Sequence, residues 1–347
     1  MANPVLTRAL DAAAAGEDLG EGLAADVLAE IMRGGVSEAE VAGLLMALRV
    51  KGETEAEITG LARTMRAFAR QVATGCPDLL DTAGSGGGRP TFNVSTTAAL
   101  IAAGAGCRVA KHGNRSATGP CGSADLLETL GARIDLEPEA VGACVREVGF
   151  GFMFAPAHHQ ATRHVVGVRR ALGVRTIFNF LGPLTNPAAA TRQVIGIADP
   201  AYLDRIAGAL IGLGADRALV VCGEDGMDEL STGGATQVIE LRDGELSRYR
   251  IEPGDAGLAV TPAGSFRSGS PGENSAVTRA ILAGEAGPAR DLAVLNAGAA
   301  IYTAGGADSI EAGVRAAERT IDSGAAAATL ERFVARTREL AGEPAPA

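Results

Sequence analysis

The sequence predicts an α/β protein, a small all-helical domain plus a larger domain with a mainly parallel sheet flanked by helices. Three observations carry this. Up to about residue 75 apolar residues recur at helical spacing and no strand-like alternation appears. After Cys76-Pro77 short β-type runs alternate with helical stretches, at the spacing of βα units. Several helical stretches stop at a Gly-Ala pair (Gly104-Ala105, Gly131-Ala132, Gly214-Ala215) shortly before the next run. A core of Ala, Leu, Val and Gly, with aromatics at 3% and no Trp, suits close-packed helices better than a β-sandwich.

In order along the chain, Ser37-Glu38-Ala39-Glu40 opens one helix and the stretch 53–73 gives another. Leu79-Leu80-Asp81-Thr82 reads as a short buried strand, and an Ala-rich helix opens near Asn93-Val94-Ser95. Further strands are expected at 107–110, 132–136, 150–154, 193–198, 218–222 and 237–241. The stretch 158–184 is helical and basic, and about 163–187 is expected to return to the N-terminal helices. From about Glu273 the chain is helical and Ala-rich, and 342–347 reads as a frayed tail. This divides the chain into a helical domain, 1–75 with 163–187, and an α/β domain, 76–162 with 188–341. No strict period marks a solenoid.

Composition narrows the function classes. Hydrophobic residues are 47% and charged residues 21%, ordinary for a soluble globular protein. The formal net charge is −10 with no block of basic residues, which argues against a nucleic-acid or anionic-membrane partner. A local basic pocket is still compatible with that balance. No basic n-region leads into an apolar stretch at Met1-Ala2-Asn3-Pro4, so a signal peptide is not expected. No apolar run reaches the roughly 18 residues of a membrane span. The five cysteines are scattered without a CxxC pair, which predicts reduced thiols and a cytoplasmic location.

Chemistry concentrates in residues 81–125. The glycine run Gly84–Gly88 lies between a strand and a helix start, where backbone N–H groups and the helix N-terminus hold an anion such as phosphate. Asn93, Ser95 and Thr96 add side-chain donors. The pattern is neither GxxxxGK[ST] nor a clean GxGxxG, which disfavours an ATPase or a dehydrogenase. Lysine occurs only as Lys51 and Lys111, while Arg serves elsewhere, so a compact ammonium kept at 111 is informative. All four histidines (His112, His158, His159, His164) fall in one third of the chain.

A second element, Gly223-Glu224-Asp225-Gly226-Met227-Asp228-Glu229, follows a strand directly, where ligands bind in open α/β sheets. Neighbouring carboxylates beside a phosphate pocket suit Mg²⁺. Zinc is disfavoured because the histidines form no HxxxH or HExxH and no Cys pair accompanies them. Arg163, Arg169, Arg170 and Arg175 cluster beside the histidines, and one of them facing the cleft would bind a substrate carboxylate bidentately. Together these features point to a phosphorylated substrate and a group transfer.

The residues Asp81-Thr-Ala-Gly-Ser-Gly-Gly, Thr91-Phe-Asn-Val-Ser-Thr, Val109-Ala-Lys-His-Gly-Asn-Arg, Gly122-Ser-Ala-Asp-Leu-Leu-Glu, Phe154-Ala-Pro-Ala-His-His, Val168-Arg-Arg, Arg175-Thr-Ile-Phe-Asn-Phe-Leu-Gly-Pro-Leu-Thr-Asn-Pro and Glu224-Asp-Gly-Met-Asp-Glu carry a resemblance over nearly the whole chain. It resembles the anthranilate phosphoribosyltransferase family, within the nucleoside-phosphorylase-like class. The resemblance implies a homodimer through the helical domain, Mg²⁺ dependence, and transfer from phosphoribosyl pyrophosphate to anthranilate. It implies that Gly84, Gly87, Gly88, Thr91, Asn93, Val94, Ser95, Thr96, Lys111, Gly119 and Ser123 hold phosphoribosyl pyrophosphate. Ser95, Asp228 and Glu229 would hold Mg²⁺. Asn114 and Arg169 would bind anthranilate, with Gly84, His112 and His159 lining its path. No covalent nucleophile is expected, and Lys111, Asn114 and Arg169 would act by positioning.

The chain departs from the family pattern. Ser85 replaces a Thr, Gly88 stands where the family has Asp, and the loop is one residue shorter before Thr91. A Ser-Ser-Lys-Ser stretch becomes Thr118-Gly119-Pro120-Cys121, without the basic residue. Main-chain N–H donors survive these changes except at Pro120, and the anion site is expected to persist. Two other readings stay open on sequence: a pyrimidine nucleoside phosphorylase of the same fold, disfavoured by Asp228-Glu229 and the Arg169 region, and a non-catalytic nucleic-acid-binding relative, disfavoured by charge.

Overall fold

A computed structural model describes residues 2–116, 119–262 and 264–343. Thr118 of the atypical stretch and positions 344–347 of the expected tail lie outside the described residues. Glu343 is tied down, its carboxylate 2.9 Å from Arg133 Nη1.

Four helices open the chain: α1 (Pro4–Ala14), α2 (Gly20–Arg33), α3 (Glu38–Lys51) and α4 (Glu55–Ala67). Their starts are written locally. Asn3 caps α1, and Ser37/Glu40 and Thr54/Glu57 form capping boxes on α3 and α4. Helix α4 stops at Ala67, short of the expected 73. Beyond it Arg70 N–H donates to the His158 carbonyl (2.8 Å) and Val72 N–H to that of Pro187 (3.0 Å), so the main chain is committed to tertiary partners.

The sheet has seven strands: β1 (Leu80–Gly84), β2 (Val109–Gly113), β3 (Phe150–Phe154), β4 (Arg192–Gly196), β5 (Arg217–Gly223), β6 (Thr236–Arg242) and β7 (Glu245–Ile251). Their order is β3-β2-β1-β4-β5-β6-β7, parallel from β3 to β5 and antiparallel at β6 and β7. The chain order reverses between β1 and β4, which makes the crevice over their C-terminal ends the expected ligand position.

Helices α5 (Val94–Gly104), α6 (Ser123–Thr129), α7 (Pro138–Val148), α8 (Ala155–His158), α9 (Arg163–Leu172), α10 (Phe178–Leu184) and α11 (Leu203–Gly212) are interleaved with the strands, and α12 (Pro271–Leu282), α13 (Pro288–Thr303), α14 (Ile310–Asp322) and α15 (Ala325–Leu340) close the chain. Each sheet face has its own apolar core. Along β5, Leu219 and Val221 join Leu100, Phe150 and Phe333 on one face. Ala218, Val220 and Cys222 join Leu28, Leu44 and Ile58 of the first helices on the other. Val168 of α9 and Phe178 and Leu181 of α10 pack in that second core.

Three expected elements differ. Residues 132–136 form no strand: Ala132, Ile134 and Leu136 alternate into the core, but the segment lies against α15 with Arg133 N–H on Thr337 Oγ1 (3.1 Å). Alternation records burial on one side; it does not require a ladder. Strand β7 is absent from the expected strands because its residues are mostly polar, although Asp243-Gly244, both left-handed, is a two-residue hairpin signal. The stretch 158–184 is broken into α8, a 3₁₀ turn, α9 and α10, with Gly173 in the left-handed region ending α9.

Candidate active site

A cavity of about 1140 Å³ opens over the C-terminal ends of β1, β2 and β4, roofed by α9 and α10. Gly84, Gly87, Gly88, Thr91, Asn93 and Ser95 line it from the first crossover. Lys111, His112, Asn114, Gly119 and Ser123 line it from the second, His159 and Arg169 from the roof, and Asp228 and Glu229 from the loop after β5. Val94 and Thr96 stand apart from this lining. Both are fully buried on the first turn of α5, and Val94 belongs to the core.

Asn93 makes no side-chain cap on α5, so the helix N-terminus meets the cavity without an internal acceptor from that residue. Beside it, Lys111 is 1% exposed, its ammonium donating to the Thr82 carbonyl and lying 3.4 Å from Ser95 Oγ. Burial draws its pKa down to about 8, against the opposing charges of Asp81 and Glu229. A cation that has surrendered most of its hydration is poised to gain from an anion.

The acidic loop reaches over the C-terminal ends of β1 and β4 because Gly84 and its β4 register partner Gly196 leave room for it. A Cβ at Gly84 would sit 2.7 Å from Asp228 Oδ2, and one at Gly196 would overlap the Asp228 carbonyl. Asp228 Oδ2 accepts Gly86 N–H (2.8 Å), and Glu229 accepts from the Thr91 hydroxyl (3.3 Å). Burial raises both carboxylic pKa values, and the neighbouring Asp228 charge raises that of Glu229 further. Two adjacent, buried hard-oxygen donors fit Mg²⁺, which takes one or two carboxylates and completes its shell with phosphate and water. Among the described residues no group of three or more His, Cys, Asp or Glu surrounds a metal position.

On the opposite side the histidines are neutral. Burial pulls His112 well below the usual imidazole range and His159 to about 4. His112 Nδ1 lies 3.1 Å from the Gly182 carbonyl and His159 Nε2 3.0 Å from that of Thr185. A neutral ring facing a carbonyl must donate, which fixes both tautomers. The two rings stand 5.0 Å apart. Arg169 lies over the Phe178 ring at 5.5 Å, and burial alone lowers its pKa. Asn114 is exposed at the rim, its side-chain oxygen accepting Arg115 N–H (2.7 Å).

Beneath this surface lies Asp81, 0% exposed. Its Oδ1 accepts His112 N–H (3.1 Å) and its Oδ2 accepts Asn186 Nδ2 (2.7 Å). Asn186 donates also to the Ala110 carbonyl (2.8 Å). The carboxylate thus joins β1, β2 and the segment leaving α10.

The glycosyl transferase family helical bundle domain matches residues 7–69 and the glycosyl transferase family a/b domain matches 76–327. The anthranilate phosphoribosyltransferase of Rubrobacter xylanophilus is 53% identical over 344 residues, 98% of this chain and 100% of that protein. The chain belongs to the anthranilate phosphoribosyltransferase family. The crystal structure of the Thermus thermophilus anthranilate phosphoribosyltransferase superposes with a TM-score of 0.90 at 47% identity, covering 95% of this chain and 99% of that one. The Saccharomyces cerevisiae anthranilate phosphoribosyltransferase in complex with PRPP and Mg gives 0.88 at 27% identity, covering 96% and 98%. These likenesses favour the transferase over the phosphorylase and nucleic-acid readings.

Within this member of the anthranilate phosphoribosyltransferase family, sequence reasoning passed over Asn186 and left Arg175 as one of four clustered arginines. Asn186 carried a signal, the Leu-Thr-Asn-Pro motif that ends the α10 region. Replacing Asp81 by Ala leaves buried Lys111 without its strongest opposing charge and Asn186 without one of its two acceptors. Urea denaturation should show a loss of about 3–5 kcal/mol. Asp81→Asn, which loses the charge but keeps an oxygen for hydrogen bonding, should lose less than Ala by the worth of that hydrogen bond; equal losses would deny the hydrogen bonds a role and leave the whole effect to the charge.

Proposed function

We propose that this cavity joins the amine of anthranilate to ribose C1 of phosphoribosyl pyrophosphate, giving N-(5-phosphoribosyl)anthranilate and pyrophosphate, a step of tryptophan biosynthesis. One observation carries the reading: a single cavity holds an anion cradle (α5 N-terminus, Lys111) and a separate arginine, Arg169, whose pKa is shifted by burial alone. Two anionic substrates need two such places.

In the transfer the C1–oxygen bond breaks with its electron pair leaving on pyrophosphate, the amine nitrogen bonds to C1, and the amine proton leaves to water or to the departing pyrophosphate. The main demand is therefore charge on the leaving group. Lys111 and the main-chain N–H groups of the glycine loop answer it, with Thr91, Asn93, Gly119 and Ser123 fixing the phosphoribosyl part. Asp228, Glu229 and Ser95 would hold Mg²⁺, which supplies further positive charge to the pyrophosphate oxygens. Arg169 and Asn114 hold the anthranilate carboxylate side, so the amine is presented at C1; orientation of this kind is worth up to about 7–11 kcal/mol. Neutral His112 and His159 line the path and leave the uncharged aromatic amine unprotonated. A covalent nucleophile has no part in this scheme.

We infer also a homodimer through the helical domain and a cytoplasmic location. Val50 on α3 is 82% exposed and Val166 on α9 44%, apolar side chains that a second copy would cover, and all five cysteines are free.

The deciding experiment follows anthranilate fluorescence on adding phosphoribosyl pyrophosphate and Mg²⁺. Fluorescence should fall with release of pyrophosphate; a constant signal refutes the reading. Arg169→Ala should raise the anthranilate KM about 10–100-fold, the worth of a charge-assisted pair, and change that for phosphoribosyl pyrophosphate little. Equal rises would sink its assigned role. Lys111 carries its charge below about pH 8 and loses it above. The KM for phosphoribosyl pyrophosphate should accordingly climb through pH 8–9 while that for anthranilate stays level, and a flat profile would remove Lys111 from the anion site.

A further inference from the structure

The geometry points to Arg175 as a positioning residue that holds the glycine loop against the acidic loop and so sets the pyrophosphate end of the site. The inference rests on the function proposed above, and it concerns a residue to which neither substrate nor metal has been assigned.

Arg175 lies between α9 and α10, on the segment that leaves the helical core. Its carbonyl accepts Arg49 Nη1 of α3 at 2.5 Å, which anchors its main chain to the first helices. Its guanidinium stands 5.5 Å over the Phe180 ring and reaches across the cavity to the glycine loop. There Nη1 donates to the Gly86 carbonyl, and Nη2 lies 3.4 Å from the Ser85 carbonyl and 3.5 Å from Ser85 Oγ. The same loop is held from the other side: Gly86 N–H, in the peptide whose carbonyl is that of Ser85, donates to Asp228 Oδ2 (2.8 Å), and Arg89 N–H donates to the Gly226 carbonyl (2.6 Å). The loop is therefore clamped between an arginine on its carbonyls and a carboxylate on its N–H.

The loop sequence matches this clamp residue by residue. Gly86 and Gly87 have φ of +67° and +79°, a left-handed pair that side chains rarely adopt. A Cβ on Gly87 would fall on the Arg175 guanidinium. A Cβ on Gly88 would lie 2.5 Å from Asp228 Oδ1 and 2.7 Å from Asp228 N. Gly88, the departure from the family's Asp, is what allows this shortened loop to lie directly on the acidic loop. Asp228 Oδ2 is committed to Gly86 N–H, and Arg175 holds the loop that carries this donor through the Ser85 and Gly86 carbonyls. The nearby guanidinium also favours the ionised form of Asp228.

The test compares Arg175→Ala and Arg175→Lys with the unaltered protein by steady-state kinetics and by peptide-resolved amide hydrogen exchange. With Ala, the KM for phosphoribosyl pyrophosphate and the Mg²⁺ concentration for half-maximal rate should each rise about tenfold, and the anthranilate KM should move less than about twofold. Exchange should accelerate in peptides covering 84–89 and stay unchanged in those covering β5 and α13. Lys, which can still donate to one carbonyl, should recover part of both effects. A rise shared equally by both substrates, unchanged exchange at 84–89, or acceleration throughout the chain in both variants would each overturn the inference. Should the unaltered protein show no transfer, the functional reading fails, while exchange at 84–89 still decides whether Arg175 holds the loop.

Discussion

The buried carboxylate of Asp81 is the point on which the cavity hangs. It lies between β1 and β2 with no exposed surface, yet two different parts of the chain donate to it: the main chain at His112 and the side chain of Asn186. Burial alone would favour the protonated acid, and the Lys111 charge and these donors oppose that. The exchange runs both ways, since Asp81 is also the largest influence keeping the Lys111 ammonium charged. A charge that faces substrate is thus supported by one that never does. Removing either leaves the other uncompensated in a low-dielectric core, the situation in which buried pairs matter most.

The same carboxylate carries this order toward the roof. Asn186 follows the turn that contains Gly182 and Thr185, whose carbonyls fix the His112 and His159 rings. The neutral histidine pair, the fixed tautomers and the placing of α10 against the sheet are therefore parts of one polar path rather than separate features. That path accounts for His112 and His159, neither of which is placed as an acid, a base or a zinc ligand. Their value is shape and a defined hydrogen-bonding face at low charge.

Much of this was legible in the sequence, and for physical reasons. Capping boxes at Ser37 and Thr54 and the glycine run before Asn93 are local signals, because the chemistry that makes each element lies within a few residues of it. The scarcity of lysine singled out Lys111 because a buried ammonium is not replaceable by a guanidinium. What escaped was set by distant partners. Ala132–Leu136 alternates like a strand because α15 buries one side of it, and no local pattern distinguishes a helix from a strand as the covering neighbour. Val94 and Thr96 share a motif with Asn93 and Ser95, but their side chains are buried, so any part they take in an anion site falls to the main chain of the first turn of α5.

The glycine loop shows how a departure can be consistent with function. A protein of net charge −10 that takes up two anions must concentrate positive character locally. An Asp at position 88 would add a further negative charge beside Asp228 and Glu229, whose own pKa values already register burial and mutual repulsion. Gly88 adds none, and its missing side chain lets the loop rest on Asp228 with main-chain N–H groups in place of carboxylate oxygens. The cradle for the anion is then built from peptide dipoles and a few cations, and the absence of a side chain at 88 is part of that construction because a Cβ there would meet Asp228. Such a site depends on the loop backbone keeping its left-handed turn. The glycines at 86 and 87 hold that turn, and the contacts on both sides of Gly86 hold the loop in place.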